Sequence, residues 1–351
     1  MGSEGPRHAA GTSPAIHEVH VAGALPGARG QRGLWRLLGL NIEAPFEAGP
    51  AAPRGAAPDV VVASGGGRRP VFDETGEVIA EMGAPARPIY TVYRLAEGYL
   101  QRFHGRCDFV VDEGLSEVRY WTAPGFDDAL VPVFFVGTVA SLLLTLRGRA
   151  VLHGTTVSWR GRTVAFVGGS GKGKTTLAAL CCAAGARLVC DDVVPLVHPT
   201  EGSGAACCGL GHELRLRPTA REVADLFPAP GPPRRTTADG RLVLRPEVAS
   251  EEENLLSVLV IPRPSRSSGA VRLRRLGPTE AVTQLLSNSR LPALRPLPLQ
   301  ARYFAVATAL ATDVPVVEAE VPWGPPFSTS SALEVMALLE ALVAEPGAGE
   351  R

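Results

Sequence analysis

The run Gly168-Gly169-Ser170-Gly171-Lys172-Gly173-Lys174-Thr175 fits the pattern G-x-x-x-x-G-K-[ST] at every defined position. Backbone this rich in glycine can turn successive N–H groups inward around phosphate oxygens. Lys174 would then reach the outer phosphates, and the Thr175 hydroxyl would ligate Mg²⁺. A helix starting at Lys174 would add the positive end of its dipole. Together with Thr176 these residues form the candidate nucleotide site, and ATP with Mg²⁺ is the ligand they imply. Lys172 is read first as a solvated charge.

Phosphoryl chemistry at such a loop also calls for carboxylates. A motor-type ATPase carries its metal-holding Asp at the end of a later apolar strand, but "LLSVLVIPRP" (255–264) contains no acid. The candidates are Asp191 and Asp192, which directly follow the short apolar run "RLVC" (187–190). One of the pair can hold the metal and the other can accept a proton from an attacking hydroxyl.

The elements that must position these groups are legible around them. "AVLHGTTVSW" (150–159) reads as a strand, Arg160-Gly161 as a two-residue turn, and "TVAFVG" (163–168) as the strand that enters the loop. "KTTLAALCCAA" (174–184) reads as a helix stopped by Gly185, and 187–190 as the next strand. A strand-loop-helix-strand unit makes parallel neighbours, which would bring the Asp pair out beside the phosphates. Pairing Trp159 with Arg162 across the turn sets His153 opposite Gly168, at the mouth of the loop. A slip of one residue would aim it at the other face of the sheet.

Residues 148–196 carry a resemblance. "LHGTTVSWRGRTVAFVGGSGKGKTTLAALCCAAGARLVCDDVVPL" resembles the catalytic core of the HPr kinase family, with its "HG" strand, Walker-type loop and "DD" pair. His153, Lys174, Thr175, Asp191 and Asp192 match those positions in order. The resemblance implies an α/β fold with a P-loop core of the HPr kinase/phosphoenolpyruvate carboxykinase type. It implies that Lys174 and Thr175 serve phosphate and Mg²⁺, and that the Asp pair supplies the base for a substrate hydroxyl, usually a serine. The spacing puts Asp191 in the role of base, with Asp192 on the metal beside Thr175. In "GHELRLRPT" (211–219), Glu213 loosely resembles a further metal-binding Glu. The Arg-containing loop linked to phosphorylase activity has no clear copy, and the N-terminal region differs from that of the family. HPr is therefore not carried over as the substrate. The sequence looks closer to HPr-kinase-like proteins that phosphorylate a serine of ribosomally made peptides, lasso peptides included.

The whole chain sets limits on these readings. Its 351 residues suffice for one large domain or two ordinary ones, and 35 basic against 35 acidic residues point to neither nucleic acid nor an anionic membrane. The six cysteines show neither metal spacing nor a disulfide ladder, which suits small apolar residues in a reducing cytoplasm. Residues 1–30 read as a loose N-terminus, 31–129 as a β-rich region with short strands, and 130–345 as the kinase domain. The apolar run 130–146 contains Pro132 and Gly137 and is short for a membrane span, so it is expected to be a buried helix. Helical patterns at 278–289 and 331–345 flank an extended segment at 314–322. The basic segment 263–275 reads as a solvated edge. Three functions compete: a kinase for a peptide or protein serine, a kinase for a small hydroxylated metabolite, and a nucleotide-gated regulator. A second copy of the chain is kept as a candidate partner.

Overall fold

The computed structural model describes residues 32–66, 76–84, 86–197, 205–207, 211–249, 254–266 and 269–344. The expected loose segment 1–30 and Cys208 lie outside the described residues. Among the described residues there are three sheets, of eight, nine and three strands, with helices packed against the second.

The N-terminal region holds β1 (Gly33–Leu37), β2 (Leu40–Ala44), β3 (Val60–Ser64), β4 (Glu77–Ala84), β5 (Arg87–Leu95), β6 (Gly98–Phe103), β7 (Cys107–Asp112) and β8 (Glu117–Thr122). They form one sheet in the order β1-β2-β3-β8-β7-β6-β5-β4. The runs at 59–64, 88–96, 107–113 and 116–123 are all strands, but the sheet is larger than those runs alone suggest. β1, β2, β4 and β6 have weaker periodicity and are recruited by cross-strand pairing.

One helical rod, Asp128–Leu146, follows, and its middle turn, Phe135–Val139, is a π-helix. Asp127 caps the start by accepting from the Ala129 N–H, and Pro132 sits in the first turn, where its missing N–H is harmless. The rod is long and apolar enough to cross a membrane, yet 61% of its apolar window is buried inside the protein. Phe135, Leu142, Leu143 and Leu144 are fully buried, each worth on the order of 1.5–3 kcal/mol relative to exposure. The cluster containing them runs from Val60, Phe103 and Phe109 of the first sheet to Val151, Val189 and Leu259 of the second. A single apolar core therefore ties the β-rich region to one face of the loop-bearing sheet.

That second sheet contains β9 (Val151–Leu152), β10 (Gly154–Trp159), β11 (Arg162–Val167), β12 (Arg187–Cys190), β13 (Val194–Val197) and β14 (Ala206–Cys207). The strand expected over 150–159 is broken at His153, where the backbone N–H turns away to the Asn288 carbonyl. β10 and β11 form a hairpin with Trp159 opposite Arg162. Its two turn residues both have positive φ, +48° at Arg160 and +77° at Gly161, as a tight primed turn requires.

The expected parallel pairing of β11 with β12 is corrected by the structure. β10 lies between them, antiparallel to each, in the order β12-β10-β11. Two strands antiparallel to a common neighbour still run the same way, so both end on one edge. Beyond β11 lie β18 (Asn254–Ser265) and β20 (Val316–Pro322), successively parallel, and β19 (Arg272–Arg275) forms an antiparallel edge. The remaining strands, β15 (Leu214–Leu216), β16 (Arg234–Thr236) and β17 (Leu242–Leu244), make the small third sheet. Helices Lys174–Ala183, Pro278–Ser287, Leu297–Asp313 and Thr329–Ala344 complete the fold, and the third of them was not evident from periodicity.

Candidate active site

The loop leaves β11 after Val167 and enters helix Lys174–Ala183 at Gly173. Gly173 has φ +80°, and a Cβ there would come within 2.5 Å of the Trp323 ring, so both backbone and neighbour demand glycine. Gly168 pairs back on the preceding hairpin, its N–H donating to the His153 carbonyl at 3.2 Å. His153 therefore stands opposite Gly168, in the register expected from the two-residue turn.

Lys174 is 6% exposed, and its ammonium donates to the Gly169 carbonyl at 2.9 Å. Burial lowers its pKa to about 8, against the opposing pull of Asp192 and Asp191. Ser170, Gly171, Gly173, Lys174, Thr175 and Thr176 line a cavity of about 330 Å³. Arg217, which donates to the Ser170 hydroxyl at 2.7 Å, and Arg241 add positive charge to the same cavity. Gly168 is buried at the root of the loop, Gly169 turns its carbonyl to Lys174, and Lys172 is exposed.

The two carboxylates part company. Asp191 Oδ1 accepts from the Thr175 hydroxyl at 2.8 Å and from the buried Thr155 hydroxyl at 2.6 Å. Its Oδ2 accepts from the Arg215 N–H at 3.1 Å. Asp192 adopts φ +68°, a left-handed conformation that Asp tolerates, which turns it away from its neighbour. Its Oδ2 accepts from Arg290 at 2.9 Å, and its Oδ1 lies 3.2 Å from His153 Nδ1. The same Nδ1 lies 3.2 Å from the Asp192 carbonyl oxygen. Both oxygens can only accept, so Nδ1 carries a hydrogen. Burial would raise the Asp192 pKa, but Arg290 and the His153 hydrogen bond outweigh it and hold the carboxyl well below the ordinary value of 3.8. Asp191 rather than Asp192 is therefore the carboxylate that meets the Thr175 hydroxyl.

Asp191, Asp192 and Arg215 line a second cavity, of about 600 Å³, and Asp192 and Arg215 line the loop cavity as well. Its walls combine Leu37 and Leu38 from the N-terminal sheet, Val133 and Val136 from the helical rod, and His212, Glu213 and Arg235. The N-terminal region thus reaches the cavity lined by the Asp pair, which nothing in its local sequence signals. Glu213 is not brought to Thr175. Both its oxygens accept from Arg235 at 2.8 Å, and Arg245 approaches at 2.8 Å. Burial pushes Glu213 up, but hydrogen bonds from His212 and Arg235 lower its pKa to about 2. With two guanidinium groups on its oxygens, Glu213 stands in the wall of the second cavity, grouped with His212 and Glu47.

Two contributors escaped sequence reasoning. Arg290 follows helix Pro278–Ser287, 98 residues from the aspartate it binds. Gly137 lies in the π turn, where a Cβ would approach Arg290 Nη2 to 3.0 Å and Asp192 Oδ2 to 3.1 Å. The one available signal was a glycine within an apolar helix, which marks a close approach. Alanine would meet only the mobile ends of two side chains, whereas valine would displace them. Gly137→Val is expected to lower turnover by up to about 10²-fold, the scale of a 1 Å misplacement, with nucleotide affinity retained. Unchanged turnover in a folded Val variant would show that this approach does not matter.

Cys107, Cys181, Cys182, Cys190 and Cys207 are all buried. Burial raises the Cys182 thiol to about 12, so it stays protonated and inert. In the basic segment, Arg263 pairs with Glu318 and Arg274 with Glu280, both at 2.8 Å, which neutralises much of that edge.

No family model matches this sequence. No curated protein matches it either. Among solved structures, the Hpr(Ser) kinase/phosphatase from Coxiella burnetii is similar at 12% identity and a TM-score of 0.30, over 55% of this chain and 96% of that one. At that score the functional reading rests on the site's own geometry.

Proposed function

We propose that this protein is an ATP- and Mg²⁺-dependent phosphotransferase that phosphorylates a hydroxyl group, with a serine of a peptide or protein as the acceptor. The observation that carries this reading is the parting of the adjacent carboxylates. Asp191 meets the Thr175 hydroxyl and lines the larger cavity, while Asp192 lines that cavity and the loop cavity alike. Nucleotide binding alone would not require a carboxylate shared by the two cavities.

The Thr175 hydroxyl and the Asp191 carboxylate are hard oxygen donors at the head of a helix, a set that fits Mg²⁺. Mg²⁺ bound there would neutralise charge on the phosphate oxygens. Lys174 and the loop N–H groups would hold the outer phosphates. In the reaction the acceptor oxygen bonds to the γ-phosphorus, the bond to the β–γ bridging oxygen breaks, and ADP leaves. The acceptor's proton passes to Asp192. A carboxylate held ionised by Arg290 is a weak base, so its main work is to orient the hydroxyl and take the proton late, as suits a loose transition state. His153 positions Asp192 through its Nδ1–H.

A second reading has one observation in its favour. A cavity of about 600 Å³ lies within the roughly 300–1,000 Å³ span of small-ligand pockets, so a compact hydroxylated metabolite would also fit. The deciding experiment incubates the full chain with ATP and Mg²⁺ and either serine-bearing peptides, lasso-type precursors among them, or a panel of sugars and aminoglycosides. The expected product is a peptide heavier by one phosphate, lost when its acceptor serine is replaced by alanine. Phosphorylation of the small molecules with no peptide product would install the second reading instead.

A further inference from the structure

We propose that Trp323, buttressed by Phe327, is the platform on which the purine base of the nucleotide stacks. The inference deepens the nucleotide reading of the loop and rests on it. The loop cavity has chemically distinct walls. His153 and Asp192 stand on one, where the acceptor cavity adjoins, and the loop itself supplies N–H groups and Lys174. Another wall is aromatic: Trp323 and Phe327, from the segment that follows β20.

The six-membered part of the Trp323 ring lies against Gly173, the residue at the head of the loop helix. A base tethered to phosphates on this loop would have that ring as its nearest flat apolar surface. The platform is also held in place. The Trp323 backbone N–H donates to the Ser265 carbonyl at 3.0 Å, and the Phe327 backbone N–H donates to Glu222 Oε1 at 3.0 Å. The two rings meet edge to face, with centroids 5.3 Å apart and planes at 87°. Both pack on the core beneath the helix while remaining only partly buried, so part of each ring is left to face the cavity. An uncharged planar base gains from such a surface, whereas Arg217 and Arg241 in the same cavity suit phosphate.

The test compares MgATP with magnesium tripolyphosphate, which keeps the phosphates and lacks the base. Binding of each to the full chain is measured by calorimetry for wild type, Trp323→Ala and Trp323→Phe, with thermal midpoints recorded. Trp323→Ala should weaken MgATP by about 5- to 150-fold, the range for losing one stacked base, and leave tripolyphosphate unchanged. Trp323→Phe should restore most of the ATP affinity. Equal weakening of both ligands would make Trp323 only a prop for the loop, and unchanged ATP affinity would overturn the platform outright. If wild-type protein binds neither ligand, the nucleotide reading itself falls and this one falls with it.

Discussion

Lys174→Ala should abolish phosphoryl transfer and weaken MgATP binding severely. The ammonium is almost wholly buried, bonded to the Gly169 carbonyl, and surrounded by the groups that would meet the phosphates. The same burial makes a second, independent readout available. With its pKa lowered to about 8, Lys174 is half protonated near pH 8 in the free protein. A polyphosphate beside it favours the charged form, so binding above about pH 8 must take up a proton. Affinity should then fall by up to about tenfold per pH unit until the pKa of the bound state is reached. Calorimetry at about pH 9 in two buffers of different ionisation enthalpy measures that uptake. Undiminished turnover in the Ala variant would refute the loop assignment, and zero proton uptake would refute the depressed pKa.

Asp191→Asn and Asp192→Asn should fail in different ways, although the residues are adjacent. Asp191→Asn removes the charge that faces Thr175, so its Mg²⁺ titration should move to higher concentration by about tenfold or more, with turnover partly recovered at saturation. Asp192→Asn should keep nucleotide affinity and Mg²⁺ dependence while turnover drops by roughly 10²–10⁴, the range for losing general-base help. The opposite pattern would return the base to Asp191. The Asp192 variant also leaves Arg290, 13% exposed, without its carboxylate. Breaking a fully buried pair costs about 3–5 kcal/mol, and less is expected here because Asp192 is 23% exposed. A thermal midpoint therefore accompanies the kinetics. Because the Asp192 carboxyl is held below its unfolded value of about 3.8, this pair's stabilisation is complete above that pH. It is lost only as the pH falls through the lower folded value.

The local geometry of the loop was legible in the sequence because it is encoded in local backbone demands. Gly173, Lys174 and Thr175 must be consecutive for a loop to become a helix around phosphate, and the Arg160-Gly161 turn admits one hairpin register, which puts His153 opposite Gly168. Burial of the helical rod was expected from Pro132, Gly137 and the shortness of the apolar run, and 61% of its apolar window is buried. What tertiary structure decided depends on approach between distant segments. Insertion of β10 between β11 and β12 is set by pairing across a sheet, for which the hydrophobic pattern is silent. The different partners of Asp191 and Asp192 turn on one positive φ and on Arg290, 98 residues downstream, while Trp323 reaches Gly173 from the end of β20, which runs beside β18. Spacing along a chain specifies which groups share a turn or a strand end. Which groups meet across the fold is decided by packing, where any two surfaces that exclude water together will do until shape selects one.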